Sequence, residues 1–260
     1  MSEPDVSPQA QFFLATEALA GRVLGALTGT QGPVLPAAPG DTKAYLAAVR
    51  VLGPDLYAPA LLCGAPLDPD GNEAVTEAFR VFPPSPADPP ATVRRDRATA
   101  GLHLRFGGDP LPVAPHSTLH GTDASPSPGL RPDTRQGLPP WRAWSAHLAP
   151  LSALALPGAD DALQTEATRH SRALALGTTR ALLRRDHPTA ARLARWLALT
   201  EQRGAVPALD TRAVLTHIDL CGGGSTRARL DTAVARFLLT TAAPRPEGDG
   251  AAEHQERPPA

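Results

Sequence analysis

The sequence predicts a mainly α protein with a small β element (α+β), with a helical C-terminal half and a loop-rich middle. Three observations lead to this fold class. Apolar residues recur at helical spacing towards both ends of the chain, prolines and glycines crowd the middle, and one short stretch there alternates apolar and polar residues. At 260 residues the chain can bury a sizeable core, and we expect residues 1–241 to form a single globular domain.

The first helices follow from apolar periodicity interrupted by breaker residues. Over residues 8–28, Leu19, Val23 and other apolar side chains return at the spacing of one helix face, which predicts a helix. A proline- and glycine-rich stretch ends it, and further helices are predicted over 43–52 and 72–82.

The segment 83–140 is rich in proline and turn residues, which predicts loops. Within it, a strand is expected over residues 100–106, where Leu102, Leu104 and Phe106 alternate with polar side chains. A loop of this length inside a compact domain is typical of disorder or of a cover over a functional site.

Helical periodicity resumes after residue 140 and continues to the end of the domain. The predicted helices cover residues 141–155, 160–185, 188–201, 210–220 and 226–240. The polar, proline- and glycine-rich stretch 242–260 is expected to be a disordered tail.

Composition excludes some classes of partner. Lys+Arg is 25 against Asp+Glu 26, so the net charge is -1 and gives no field that would draw the chain to nucleic acid or to an anionic membrane. Lys43 is the single lysine, which is typical of a GC-rich bacterial genome. Cys63 and Cys221 match neither a disulfide framework nor a zinc motif, and with no signal peptide or membrane-length apolar run evident, a cytoplasmic location is expected.

Three glycines at 222–224 precede an arginine-rich helix, and two interpretations remain open. In the first, they join two helices and Ser225 caps the second. In the second, the positive helix end, together with Arg227 and Arg229, receives a carboxylate or phosphate. His217 lies one to two turns earlier and could then act as an acid, a base or a ligand.

Other candidate residues carry less specific signals. Glu166 and His170 are four residues apart on a predicted helix, a spacing that favours surface pairing over metal binding. The Asp186–His187 pair is interpreted as a helix start. The sequence contains no phosphate-binding loop, dinucleotide fingerprint or nucleophile elbow.

The stretch "ALDTRAVLTHIDLCGGGSTRARLDTAVARFLL", residues 208–239, resembles the C-terminal region of thiopeptide-type peptide-modifying proteins. That family includes pyridine synthases and the elimination domains of lantibiotic dehydratases. The runs "RALALGTTRALLRR" and "GLHLRFGGDP" are similar to further parts of the family. The resemblance implies a bacterial enzyme of natural-product (antibiotic) biosynthesis, a lyase or cyclase that performs elimination or cyclisation on a ribosomally made peptide.

A second resemblance gives an alternative. "QFFLATEALAGRVL" and "GGGSTRARLDTAVARFLL" are similar to the opening helix and the glycine-rich loop of heme-dependent aromatic oxygenases of the tryptophan-dioxygenase type. This resemblance implies heme as cofactor, with His217, His187 or His170 as its ligand. A third alternative is a non-catalytic partner or binding protein.

The sequence thus leads to one preferred hypothesis, a tailoring enzyme for a peptide or small-molecule substrate, with no cofactor expected and a homodimer or partner protein possible. His217 and Arg227 are its expected catalytic residues. The expected substrate-binding residues are Arg105, Ser225, Thr226 and Arg229.

Overall fold

The computed structural model describes residues 7–30, 42–67, 69–113, 140–221 and 224–241. Eleven α-helices lie in these ranges: α1 Pro8–Leu27, α2 Thr42–Leu52, α3 Ala58–Cys63, α4 Pro69–Val81, α5 Pro90–Arg105, α6 Trp141–Leu148, α7 Asp161–Arg169, α8 Ser171–Leu183, α9 His187–Gln202, α10 Thr211–Cys221 and α11 Thr226–Thr240. Two 3₁₀ segments, Gly53–Tyr57 and Ala149–Leu154, continue α2 and α6.

Helix α9 is the centre of the fold. It packs against α7, α8, α10 and α11, and its residues from Ala190 to Thr200 are buried except for Arg192. The indole of Trp196 is fully buried and donates a hydrogen bond of 2.9 Å to the carbonyl of Leu148. On the other side of α11, α1 packs against both α11 and α2, so that the buried apolar residues form one connected core.

The mainly α prediction is confirmed, but the strand over 100–106 is wrong. These residues form the last turns of α5 and the residue that ends it, and the described ranges contain no strand. Leu102 and the adjacent His103 are both buried whereas Leu104 is exposed, which is the pattern of a helix and not of a strand. Pro90 stands in the first turn, where a missing N–H costs nothing, so part of the segment predicted as loop begins a 16-residue helix.

The buried His103 is held between α4 and the 3₁₀ segment Gly53–Tyr57. Its Nδ1 lies 2.9 Å from the Tyr57 hydroxyl and its Nε2 lies 3.2 Å from the Thr76 hydroxyl. Both ring nitrogens therefore have partners, which satisfies an imidazole that is shielded from water.

The helix predicted over 160–185 is two helices. His170, with φ -112° and ψ 28°, ends α7 and precedes α8. The helix predicted over 141–155 tightens to a 3₁₀ segment after Leu148, where Pro150 cannot donate an α-helical hydrogen bond. The two predicted caps are confirmed, because Asp186 accepts from the N–H of Thr189 at 3.1 Å and Ser225 accepts from that of Ala228 at 3.3 Å.

Within the described ranges one helical stretch, Lys43–Cys63, is long and apolar enough in composition to cross a membrane, with a mean hydropathy of 1.3. In its most apolar window 61% is buried inside the protein, and the core helix of a soluble protein passes the same test. The predicted tail at 242–260, residues 222–223 of the glycine turn and residues 114–139 of the predicted loop lie outside the described residues.

Candidate functional site

A fully buried arginine marks the interior of the fold. Arg195 lies in the middle of α9 and is 0% exposed. Its Nη2 is 2.7 Å from Oδ1 of Asp55 in the 3₁₀ segment Gly53–Tyr57, and its Nη1 is 3.1 Å from Oδ1 of Asp231 on α11. The carbonyls of Ala153 and Ala155 accept further hydrogen bonds from the guanidinium at 3.5 and 3.4 Å. One side chain thus joins four parts of the chain.

Burial and ion pairing shift the pKa values of Arg195 and Asp231 in opposite directions. Burial lowers the pKa of Arg195, but the carboxylates of Asp55 and Asp231 outweigh it, so that this pKa lies above its ordinary value. Burial raises the pKa of Asp231 and Arg195 only partly offsets it, because the carboxyl group also faces the like charge of Asp55. Arg195 therefore stays charged, while the proton affinity of Asp231 is higher than that of an exposed carboxyl.

A second arginine, Arg95 on α5, lies against the same 3₁₀ segment. Gly53 permits this approach, since it has a φ of +53° and a Cβ there would lie 2.7 Å from the Thr99 hydroxyl and 3.4 Å from Cγ of Arg95. The Nε of Arg95 is buried and has no hydrogen-bond partner among the described residues. Burial lowers the pKa of Arg95 and the positive charge of Arg227 lowers it further, whereas the carboxylates of Asp96 and Asp55 oppose this in part.

Arg227 contributes a third guanidinium from the first turn of α11. It is half-buried and lies one helical turn before Asp231, so the two side chains share a helix face. The positive charge of Arg227 lowers the pKa of Asp231 as well as that of Arg95, so it acts on both groups. We call Asp55, Arg95, Arg195, Arg227 and Asp231 the arginine–aspartate cluster.

The cluster contains three positive guanidinium groups and two carboxylates, and this balance of charge determines which ligands it can bind. Both carboxylates are engaged by Arg195, whereas Arg95 and Arg227 repel each other. Two further carboxylates nearby are engaged by another arginine, since Arg50 binds Asp96 at 2.6 Å and Asp88 at 3.0 Å. An additional anion beside Arg95 and Arg227 would relieve their repulsion and satisfy a buried donor.

At the N-terminus of α11, where one of the two interpretations expects a bound anion, two backbone N–H groups donate to acceptors of the protein itself. The N–H of Thr226 donates to Oε2 of Glu17 on α1 at 2.6 Å, and the N–H of Ala228 donates to the Ser225 hydroxyl. A resident carboxylate thus already occupies the positive end of the helix. Ser225 and Thr226 have structural roles there, because they start the helix and attach it to α1.

Arg227 and Arg229 do not act as a pair either. Residues two apart point to different sides of a helix, and Arg229 is exposed while Arg227 turns inward. Arg105 is exposed at the end of α5, where its guanidinium lies 5.7 Å from the ring centre of Phe106. The four residues predicted to bind substrate, Arg105, Ser225, Thr226 and Arg229, are thus not part of the arginine–aspartate cluster.

His217 faces a different set of residues from Arg227. It is exposed on α10, with its Nε2 3.6 Å from the Cys221 sulfur and its ring 6.2 Å from that of His187, measured between centroids. Two of the three histidines considered as heme ligands, His187 and His217, therefore lie together. The third, His170, packs edge-on against Trp144 at 5.7 Å.

The sequence analysis names Arg227, whose role stays a prediction, but none of the other members of the arginine–aspartate cluster: Asp55, Arg95, Arg195 and Asp231. One signal was available, since Arg195 interrupts the apolar run "LARWLAL" in the middle of α9. A charged residue at such a position needs a partner in the core.

Comparisons of the chain with protein-family models, with curated proteins and with solved structures give no significant match.

Proposed function

We propose that this protein is a tailoring enzyme of bacterial natural-product biosynthesis that binds the carboxylate of a peptide or amino-acid-derived substrate between Arg95 and Arg227. The observation that carries the proposal is the buried Nε of Arg95, which lacks a hydrogen-bond partner within the described ranges. The charge of Arg227 adds to the positive potential there, since it lowers the pKa of Arg95. Two neighbouring guanidinium groups with an unused donor form a receptor for a carboxylate.

The reaction proposed is elimination or cyclisation on the peptide, in line with the resemblance of residues 208–239. In such a reaction negative charge develops on the substrate or leaves with a carboxylate. Fixed guanidinium groups shielded from water stabilise that charge without having to reorganise. In this proposal Arg227 binds and stabilises the anion, and the acid/base role predicted for His217 is not assigned to the same site.

Ligand binding tests the anion site directly. Succinate and N-acetylglutamate are titrated calorimetrically, with the matching amides as neutral controls. A charged hydrogen-bonded contact contributes about 1.5–3 kcal/mol, so Arg227→Ala is expected to weaken carboxylate binding about ten- to a hundredfold. Arg229→Ala is the matched control, because it removes the same charge from an exposed position of the same helix, and we expect it to leave binding within about twofold.

Equal binding of the acids and the amides would contradict the proposal. So would an Arg229→Ala variant that loses as much affinity as Arg227→Ala, since the effect would then be general surface charge. Catalysis is tested separately by mass spectrometry of a dehydrated peptide incubated with the protein, once with a terminal carboxylate and once with a terminal amide. Loss of a leaving group, or cyclisation, only in the acid form is the expected result.

A further inference from the structure

The side chains of His187, His217 and Cys221 form a second group, distinct in its residues from the arginine–aspartate cluster. Each offers one atom that can bind a metal, and these three atoms all lie within 4.8 Å of one another. His187 is the first residue of α9, while His217 and Cys221 lie in the last turns of α10. Because α10 packs against α9, helix packing brings the three together.

The spacing within α10 suits metal binding. His217 and Cys221 are four residues apart and therefore lie on one face of the helix. For a tetrahedral ion with bonds of roughly 2.0–2.3 Å, two ligand atoms lie about 3.3–3.6 Å apart. The observed separation between the Cys221 sulfur and Nε2 of His217 is 3.6 Å. The two ligands on α10 thus already have the separation that the ion requires.

We infer that His187, His217 and Cys221 bind a single divalent transition-metal ion, Zn²⁺, with a fourth coordination position left open to water or substrate. Two imidazoles and one thiolate are nitrogen and sulfur ligands of intermediate softness, which favour Zn²⁺ and exclude Mg²⁺ and Ca²⁺. Three protein ligands with one open position is the arrangement of catalytic rather than of structural zinc. The exposure of His217 and Cys221 gives the ion and a fourth ligand access from solvent.

Cobalt titration of the metal-stripped full-length protein tests this site. A thiolate-bound Co²⁺ gives a charge-transfer band in the near ultraviolet, and a tetrahedral Co²⁺ gives intense visible bands. We expect both on addition of Co²⁺, and their loss when Zn²⁺ is added. Cys221→Ser is expected to abolish the charge-transfer band, whereas Cys63→Ser, which changes the other cysteine of the chain, keeps it.

The two histidines are tested by affinity. Loss of even an outer partner of a metal ligand costs about 10–100-fold in affinity, so His187→Ala and His217→Ala should each weaken Co²⁺ binding by more than about tenfold. Circular dichroism and the melting temperature show whether each variant is folded. If an alanine variant unfolds, the same histidine is changed to asparagine instead. Arg227→Ala is expected to bind Co²⁺ like the original chain, so this test and that of the proposed function fail separately.

Several outcomes would overturn the inference. One is the absence of a charge-transfer band at saturating Co²⁺ in the unaltered protein. Another is a band that persists in Cys221→Ser or disappears in Cys63→Ser. A third is Co²⁺ affinity that stays within about twofold of the original in both histidine variants, a change far below the effect expected of a lost ligand.

Discussion

Replacement of Arg195 by methionine should destabilise the protein strongly. The change removes the guanidinium that lies 2.7 Å from Asp55 and 3.1 Å from Asp231 and leaves a side chain of similar length. At an effective dielectric constant of 20, each ion pair of this kind contributes roughly 4 kcal/mol of attraction. Without it, two buried carboxyl groups, 2% and 3% exposed, face each other in the core.

The expected loss of stability in Arg195→Met follows from leaving Asp55 and Asp231 without their partner. Removal of one partner from a buried ion pair typically costs about 3–5 kcal/mol. For a protein of this size, that corresponds to a fall of about 6–20 °C in melting temperature. Urea denaturation at pH 7 and differential scanning calorimetry measure the two quantities. Arg192→Met is the matched control, because it makes the same change one helical turn earlier on α9 at a position that is half-buried.

A second substitution separates charge from packing. If the loss arises from uncompensated carboxylates, Asp231→Asn in the Arg195→Met background should restore part of the stability, since it removes one of the two buried charges. Acidification should do the same. The pKa of Asp231 already lies above its ordinary value because of burial, and removal of Arg195 takes away the charge that opposes this. A group with a raised native pKa stabilises the fold at low pH and loses that contribution as the pH rises.

The reasoning is refuted if Arg195→Met is as stable as Arg192→Met at pH 7. It is also refuted if Asp231→Asn lowers the stability of the Arg195→Met variant further. Either result would mean that the carboxyl groups are not ionised in the native state, and the charge count of the arginine–aspartate cluster would have to be revised.

Two further predictions concern Gly53 and His103. Gly53→Ala should cost more than Gly64→Ala by about 1–3 kcal/mol in urea denaturation. Both glycines have positive φ, but only a Cβ at Gly53 meets other atoms within 4 Å, with the Thr99 hydroxyl nearest at 2.7 Å. Equal costs would show that this approach of the 3₁₀ segment to α5 is not tight. Burial lowers the pKa of His103 below 6.5, with Asp109 opposing in part, so the unfolded chain takes up a proton that the native state does not. Stability from this group is therefore lost as the pH falls through 6.5, and His103→Gln should reduce the fall in unfolding free energy between about pH 7 and pH 5; an unchanged slope would contradict this.

The helices could be predicted from the sequence because their apolar residues recur at the spacing of one helix face. Leu19 and Val23 on α1 are buried at the positions that the period requires, and Asp186 and Ser225 cap the helices that they were expected to start. The strand prediction failed because alternation over seven residues contains too little information. Leu104, counted as an inward residue, is exposed, while the polar His103 is buried between Tyr57 and Thr76.

The functional groups could be predicted only where their partners are close in sequence. Asp231 lies four residues after Arg227, and Cys221 lies four residues after His217, so each pair could have been found from helical spacing alone. Their third members could not. Asp55 comes from a 3₁₀ segment far earlier in the chain, and His187 was interpreted as a part of a helix start.

Helix packing brings residues that are distant in sequence into both groups, and in each group α9 contributes one of them. Arg195 in the middle of α9 gathers Asp55 and Asp231, and His187 at its beginning meets His217 and Cys221. Because α9 is buried from Ala190 to Thr200 except at Arg192, Arg195 cannot move towards its partners without disturbing the core. The apolar residues that predict α9 as a helix thus also fix Arg195 in the core, and the same helix carries His187 at its beginning. A change in the packing of α9, at Trp196 for example, should disturb the two groups together.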